Sequence, residues 1–373
     1  MTDLVLSEDR KQFQDLARDF AQNEIAPNAH RFDHSPEFPL DLCKKAWEIG
    51  LFNVRFPEEY GGLALGAGDA AVIAEELGAG CAGISSPFWG NDLAVAPVMV
   101  AGTDAQKDQY LAPFGSTFGL AAYCFDLSHH STVEYTAKGD QFILSGKAAA
   151  INAGHAEWLF VVAHEKGKRS ASTALVIPLQ TEGLKVEASP PALGIKAADL
   201  STVHFHQVNV PVSNKVGTTG DASSLMKETA AWTGTIIASC AVGVARTALE
   251  CSVRYSKERY TMGQPIANHQ AVGFMLADMA KDIEAARLMI RKAAWLADAG
   301  EPNSSASLMA KSFAVDMAMK AATDAVQVYG GYGYSREYPV EKLMRDAKML
   351  QVYVGESSGV QLQVGRQFVD SVL

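Results

Sequence analysis

Few residues in this chain stand in arrangements that do chemistry by themselves. His129-His130 is an adjacent pair on a predicted loop after a strand, and imidazole is the side chain that ligates metals or moves protons near neutrality. Adjacent histidines on such a loop are more often surface or interface residues. Asp92 is a lone carboxylate beside Gly90-Asn91; its first reading is a helix cap and its second an acid/base group. Asp278 and Asp282 stand four residues apart on a predicted helix, where they face solvent or structural partners more often than substrate. The five cysteines, Cys43, Cys81, Cys124, Cys240 and Cys251, form no C-x-x-C pair and have no histidine at zinc spacing. They read as buried free thiols in a reducing cytoplasm. No Ser-His-Asp constellation, P-loop or cysteine-nucleophile motif stands out.

The elements around these residues fall into three zones. Up to about residue 116 the pattern is helical. Ser7 is placed to cap a helix carrying Phe13, Leu16, Ala17 and Phe20. Leu42, Ala46, Ile49 and Leu51 follow Pro39, and Ala70–Leu77 and Leu93–Val100 are two further helix candidates. Gly61-Gly62 and Gly66-Ala67-Gly68 read as turns between them. Residues 117–217 change to short β-branched and aromatic runs at 141–144, 158–162, 174–177 and 203–206. Turn signals at Gly139, Gly167 and Pro190-Pro191 separate these runs. Residues 218–373 return to helical period, with Ile236, Cys240, Gly243, Val244 and Thr247 on one face. Long stretches at 270–299 and 306–329 are rich in alanine and suit helices packed closely in a bundle.

The chain has 373 residues, 48% hydrophobic and 20% charged, enough for several packed units. A formal net charge of -10 argues against a nucleic-acid partner. The acidic N-terminus lacks an apolar h-region, and no uninterrupted apolar run is long enough for a bilayer, so the expectation is a cytoplasmic protein with no membrane partner.

The run Gln327-Val328-Tyr329-Gly330-Gly331-Tyr332-Gly333-Tyr334, with Arg345-Asp346-Ala347-Lys348 and Tyr353-Val354-Gly355 behind it, resembles the C-terminal signature of the acyl-CoA dehydrogenases. Gly119–Cys124, Leu144–Phe160 and Arg259–Met279 carry the same resemblance, which spans nearly the whole chain. It implies an α+β, mainly helical fold: an N-terminal helical domain, a middle β-barrel-like domain and a C-terminal four-helix bundle. It also implies FAD, lying across a subunit interface, and a glutamate base at the position held here by Val354. Valine cannot accept a proton.

The resemblance divides the cofactor site into a half lent to a neighbour and a half kept. The lent half matches. Arg259-Tyr260-Thr261-Met262-Gly263 looks like the family's R-x-T-F-G turn, Gln270 follows at the family distance, and Gln327 with Gly330-Gly331 completes the set. An arginine there can fork onto pyrophosphate oxygens, Thr261 adds a hydroxyl, and the glycines let amides approach. The kept half departs from the pattern. Asp126 stands where a flavin-bonding threonine is expected, Ala149 where a tryptophan packs on the ring, and Ile151 where a hydroxyl residue bonds near N5. The alternative base position falls at or next to Thr233, and its neighbouring arginine falls on Gly234. Glu356 replaces a threonine beside the phosphates, unless a shifted register makes it a displaced base. Asp92 lies in a region that borders the family's acyl pocket.

These matches imply a non-catalytic subunit of a heteromeric, α2β2 acyl-CoA dehydrogenase. A paralogous subunit would hold the flavin ring, the base and the acyl-CoA, with electron-transfer flavoprotein as acceptor. Bulky CoA thioesters such as steroid side-chain intermediates are the substrate class expected by analogy. The alternatives are a homo-oligomeric flavoenzyme with altered chemistry, using Asp92 or Asp126, and a non-enzymatic scaffold without FAD.

Overall fold

A computed structural model describes residues 6–35, 37–125, 132–353 and 357–372. The N-terminal helices are α1 (Glu8–Phe20), α2 (Ala29–His34), α3 (Leu40–Glu48), α4 (Ala67–Ala101), α5 (Asp104–Tyr110) and α6 (Ala112–Ser116). Ser7 caps α1 as expected, its hydroxyl accepting from the Arg10 amide at 3.2 Å. The two helix candidates at 70–77 and 93–100 lie on either side of a kink within α4. α4 runs through both, interrupted at Cys81, whose backbone is extended (φ -173°, ψ 118°). The turn expected at Gly66-Ala67-Gly68 is instead the start of α4, with Gly66 as its N-cap. Ala67 and Gly68 donate their amides to Asp298 of the last domain, at 2.5 and 3.1 Å.

The middle strands are β1 (Ala121–Phe125), β2 (Thr132–Lys138), β3 (Gln141–Ile151), β4 (Trp158–Glu165), β5 (Lys168–Pro178), β6 (Leu184–Ala188), β7 (Leu200–Pro211) and β8 (Lys215–Val216). They form one sheet in the order β6-β7-β3-β1-β4-β5-β8, with β2 pairing both β3 and β4. That double pairing curls the sheet around a core of Ala122, Leu144, Leu159, Leu175, Val203 and Val208. Trp158 is buried in a second cluster against Phe114 and Tyr110 of α6 and α5, a strand-core aromatic as its position suggested.

The remainder is α7 (Ala222–Glu258), a hairpin of β9 (Tyr260–Thr261) and β10 (Gln264–Pro265), α8 (Gln270–Asp298), α9 (Ser304–Tyr329), α10 (Val340–Tyr353) and α11 (Ser357–Val372). α7 is the axis of the molecule. It packs on α4, α8, α9 and α10 through Ile236, Ala238, Cys240, Ala241, Val244, Ala245 and Ala248, whose small side chains let the helices approach closely. By length and composition α7 could cross a bilayer, but 67% of its apolar stretch is buried inside the fold, which identifies it as a core helix. Buried charges also join the domains. Glu76 of α4 accepts from Arg246 of α7 at 2.6 and 3.0 Å and from Arg18 of α1 at 2.9 Å.

Candidate functional site

One end of the helical bundle gathers most of the residues singled out for cofactor binding. α7 ends at Glu258, and Arg259 follows it into the β9–β10 hairpin, its carbonyl accepting from the Ile266 amide at 2.8 Å. Thr261 Oγ1 lies 2.9 Å from His269 Nε2, which fixes the hairpin against the residue preceding Gln270 at the start of α8. α9 ends beside them. Tyr329, its last residue, stacks on Tyr255 of α7 with ring centroids 4.1 Å apart. Gly330 then turns the chain at φ +59°, where a side chain would be strained, and no atom lies within 4 Å of the Cβ position at Gly330 or Gly331. The Arg259 guanidinium sits 5.8 Å from the Tyr332 ring centroid, bringing the hairpin to the Gly330-Gly331 turn.

Arg259, Thr261, Gln270, Gln327, Gly330 and Gly331 are all exposed. Around them are exposed apolar side chains, with Met262 at 95% and Tyr334 at 90% accessibility. A guanidinium, a hydroxyl, an open glycine backbone and the N-terminus of a 29-residue helix are an arrangement for oxyanions. Among the described residues nothing covers it, and a surface with so many exposed aromatic and apolar groups is suited to a protein neighbour.

The flavin-ring residues expected on the other side lie on the β1–β3 pair. Tyr123, Cys124 and Phe125 pair with Ile151, Ala150 and Ala149, so the two sequence elements are adjacent in space. Ala149 is half-buried, while Ile151 is fully buried with its side chain against Gly90 of α4. The Thr233 hydroxyl is spent on its own helix, donating to the Thr229 carbonyl at 2.9 Å. Gly234 faces α9, where an added Cβ would meet the Ser307 hydroxyl, so any side chain there requires Ser307 to shift. Asp126, His129, His130, Val354, Gly355 and Glu356 lie outside the described residues. Among those described, no three His, Cys, Asp or Glu side chains cluster as a metal site.

Asp92 is not a cap. It lies inside α4, on the face shared by Ser85, Phe88 and Trp89, because α4 runs on to Ala101. This face meets Leu51–Val54 and, on α7, Ile236 and Cys240 around a small cavity. Among the described residues Asp92 makes no hydrogen bond or ion pair. Burial pushes its carboxyl up to about 7, a rise that the charge of Arg55 partly offsets. Arg55 stacks on Trp232 with its guanidinium carbon 3.9 Å from the ring centroid, and donates to the Trp232 carbonyl at 2.7 Å. Its own pKa falls to about 10 through burial, opposed by Asp92 and Asp298. The sequence signal for Arg55 is a single cation inside the largely apolar run Leu51-Phe52-Asn53-Val54-Arg55-Phe56.

The chain matches the acyl-CoA dehydrogenase N-terminal domain over residues 7–117, the middle domain over 123–208 and the C-terminal domain over 223–368. It is 35% identical to the cyclohex-1-ene-1-carbonyl-CoA dehydrogenase of Geobacter metallireducens, over 97% of this chain and 98% of that one. Butyryl-CoA dehydrogenase from Megasphaera elsdenii superimposes with a TM-score of 0.92 at 30% identity, covering 98% of this chain and all of its own (100%). A chain from work on the electron transferring flavoprotein of Acidaminococcus fermentans superimposes with a TM-score of 0.92 at 33% identity, covering 98% and 99%. The chain belongs to the acyl-CoA dehydrogenase family, an FAD-dependent class of oxidoreductase that dehydrogenates acyl-CoA thioesters. The exposed Arg259, Thr261, Gly330 and Gly331 set fits the phosphates of that cofactor, with donors presented at an open surface.

Proposed function

We propose that this chain is a subunit of a heteromeric FAD-dependent acyl-CoA dehydrogenase and that it completes the flavin site of its neighbour. The observation that carries the reading is the exposed cluster of Arg259, Thr261, Gln270, Gln327, Gly330 and Gly331, built for oxyanions and surrounded by apolar surface. Arg259 binds pyrophosphate oxygens bidentately, Thr261 adds a hydroxyl donor, and the amides after Tyr329 approach where no Cβ intervenes. FAD, when bound, accepts the β-hydride of the thioester. The neighbour is a paralogous chain in an α2β2 assembly that holds the glutamate base and most of the acyl-CoA, a bulky acyl group such as a steroid side chain. Gly234 and Val354 support this assignment because neither supplies the cation or base expected in the chain's own site. Electron-transfer flavoprotein is the proposed acceptor.

A second reading is a homo-oligomer with altered chemistry, in which the neighbour is another copy and Asp92 takes the substrate proton. It is favoured by the unpaired Asp92 carboxyl, which burial holds near neutrality beside an apolar cavity, as a general base requires.

Purifying the chain alone and together with a paralogous dehydrogenase subunit, then recording flavin absorbance and turnover, separates the two. Flavin retained only on co-purification, at one per heterodimer, supports the first. Stoichiometric flavin and turnover from this chain alone overturns it and supports the second, provided that Asp92→Asn abolishes that turnover.

A further inference from the structure

The cavity between α4, α7 and the 51–55 segment contains polar groups that an alkyl pocket does not need. Asn53 and Trp89 both line it, at 7% and 3% accessibility. The Asn53 amide is oriented by Asn91, whose Nδ2 donates to Asn53 Oδ1 at 2.7 Å. That bond leaves Asn53 Nδ2 as a buried donor with no partner among the described residues, and Trp89 Nε1 is a second. A buried N–H without an acceptor carries its desolvation penalty uncompensated, and of the six buried side-chain atoms without a partner among the described residues these two belong to residues lining one small cavity. Asp92, also lining the cavity, has no partner among the described residues. The remaining walls are apolar: Leu51, Phe52, Ile73, Leu77, Phe88 and Ile236.

Two donors and one carboxyl around an apolar space define the complement. A hydroxyl group accepts through its two lone pairs and donates through its proton, so one hydroxyl can use all three groups. A carboxylate would bring a second negative charge to Asp92, and a plain alkyl end would leave both donors stranded. The cavity volume of about 30 Å³ has room for one or two groups of that size.

We propose that this cavity binds the hydroxyl of a hydroxylated acyl group, with Asn53 Nδ2 and Trp89 Nε1 donating to its oxygen and Asp92 accepting its proton. The inference rests on the reading that the chain handles CoA thioesters, and names the acyl class that reading leaves open. It belongs to the second reading, in which this chain's own site takes the acyl group, because in the first the paralogous neighbour holds most of it.

The test is calorimetric binding of two matched pairs to the full chain in its flavin-loaded assembly. The pairs are hexanoyl-CoA against 6-hydroxyhexanoyl-CoA, and cyclohexane-1-carbonyl-CoA against its 4-hydroxy derivative. The expected result is at least tenfold tighter binding of the hydroxylated member in one pair or both, with the preference falling to within twofold in Trp89→Phe. Should Trp89→Phe fail to fold, Asn53→Asp replaces it, since it keeps the acceptor for Asn91 and removes the N–H donor. Equal affinity within both pairs, or a preference that survives the loss of the donor, overturns the proposal and leaves the cavity to water. Binding of no CoA thioester at all overturns the dehydrogenase reading instead. Thermal shift by 1-hexanol against n-hexane then decides the cavity: a shift by the alcohol that Trp89→Phe removes sustains it, and no such shift overturns it.

Discussion

Arg345 of α10 holds Asp33 of α2 with both terminal nitrogens, Nη1 at 2.9 Å and Nη2 at 2.7 Å. Both side chains are nearly inaccessible, so the pair crosses from the last domain to the first inside the protein. Arg345 also donates to the Leu193 carbonyl at 2.9 Å and to Glu341 at 2.7 Å, and Asp346 accepts from the Ile195 amide at 2.6 Å. The Arg-Asp pair that helped to mark the family in the sequence is therefore a clamp joining the three domains.

Breaking this clamp has a defined cost. Asp33→Ala leaves a buried guanidinium short of a partner and is expected to destabilise the chain by about 2–4 kcal/mol, measured as a lower thermal midpoint at pH 7. Burial alone would raise the Asp33 pKa, but hydrogen bonds and charge from Arg345 overcome it and hold it below the usual carboxylate value. A depressed pKa contributes stability above the unfolded value and loses it as pH falls through the folded one. The wild-type advantage over Asp33→Ala should thus shrink below about pH 4. An advantage unchanged between pH 7 and pH 3 would contradict this account.

Much of the architecture was legible because it is local. The period of 3.6 placed α7, α8 and α9, and the β-branched runs placed β3, β4, β5 and β7. The residues proposed for the cofactor phosphates can be picked out in the sequence because they sit in short motifs at the ends of those helices. What escaped notice was set by tertiary packing. The candidate at 93–100 gives no sign that its helix already begins after the kink at Cys81, which puts Asp92 in the helix interior instead of at a cap. Arg55 and Trp232 are far apart in sequence, and only folding stacks them. Nor could the sequence indicate that the glycine in place of the expected arginine faces a serine hydroxyl on another helix.

That glycine yields a second prediction. Gly234→Ala should cost about 1–3 kcal/mol, because the added methyl meets Ser307 Oγ in the α7–α9 contact. Ser307 Oγ also donates to the Ala230 carbonyl at 3.3 Å, a hydrogen bond it would lose on turning away. Combining Gly234→Ala with Ser307→Gly should recover part of the loss, giving a coupling of about 1 kcal/mol in a denaturant double-mutant cycle. Additive effects would place the strain elsewhere.

Asp92 makes a prediction of opposite sign to Asp33. Its pKa, near 7, lies above the ordinary carboxylate value, so between about pH 4 and 7 the unfolded chain releases a proton that the folded chain retains. Stability contributed by this group therefore falls as pH rises through that window and is level beyond it. Asp92→Asn, which has no proton to lose, should be no weaker than wild type at pH 8 and should lack this part of the decline between pH 5 and pH 8. Parallel pH profiles for the two proteins would show that Asp92 is ionised throughout, and would remove its claim to general-base chemistry.

Arg259 separates the role of a residue in its own fold from its role at a neighbour's cofactor. Its side chain is exposed, and the carbonyl that anchors the hairpin belongs to its backbone, so Arg259→Ala should change the stability of the isolated chain by no more than about 0.5 kcal/mol. On the proposed assignment the same change removes a bidentate oxyanion donor from the assembly, and flavin affinity should fall by at least tenfold, about 1.4 kcal/mol. Arg259→Lys restores the charge without the fork and should recover only part of that loss. Flavin release on dilution, followed by fluorescence, measures all three proteins on one scale. In a mixed assembly with a wild-type partner, the loss should follow the chain that carries the substitution into the interface. The partner's flavin should weaken while its own arginine stays intact. Unchanged flavin affinity in that assembly would mean that the exposed cluster serves something other than the neighbour's cofactor.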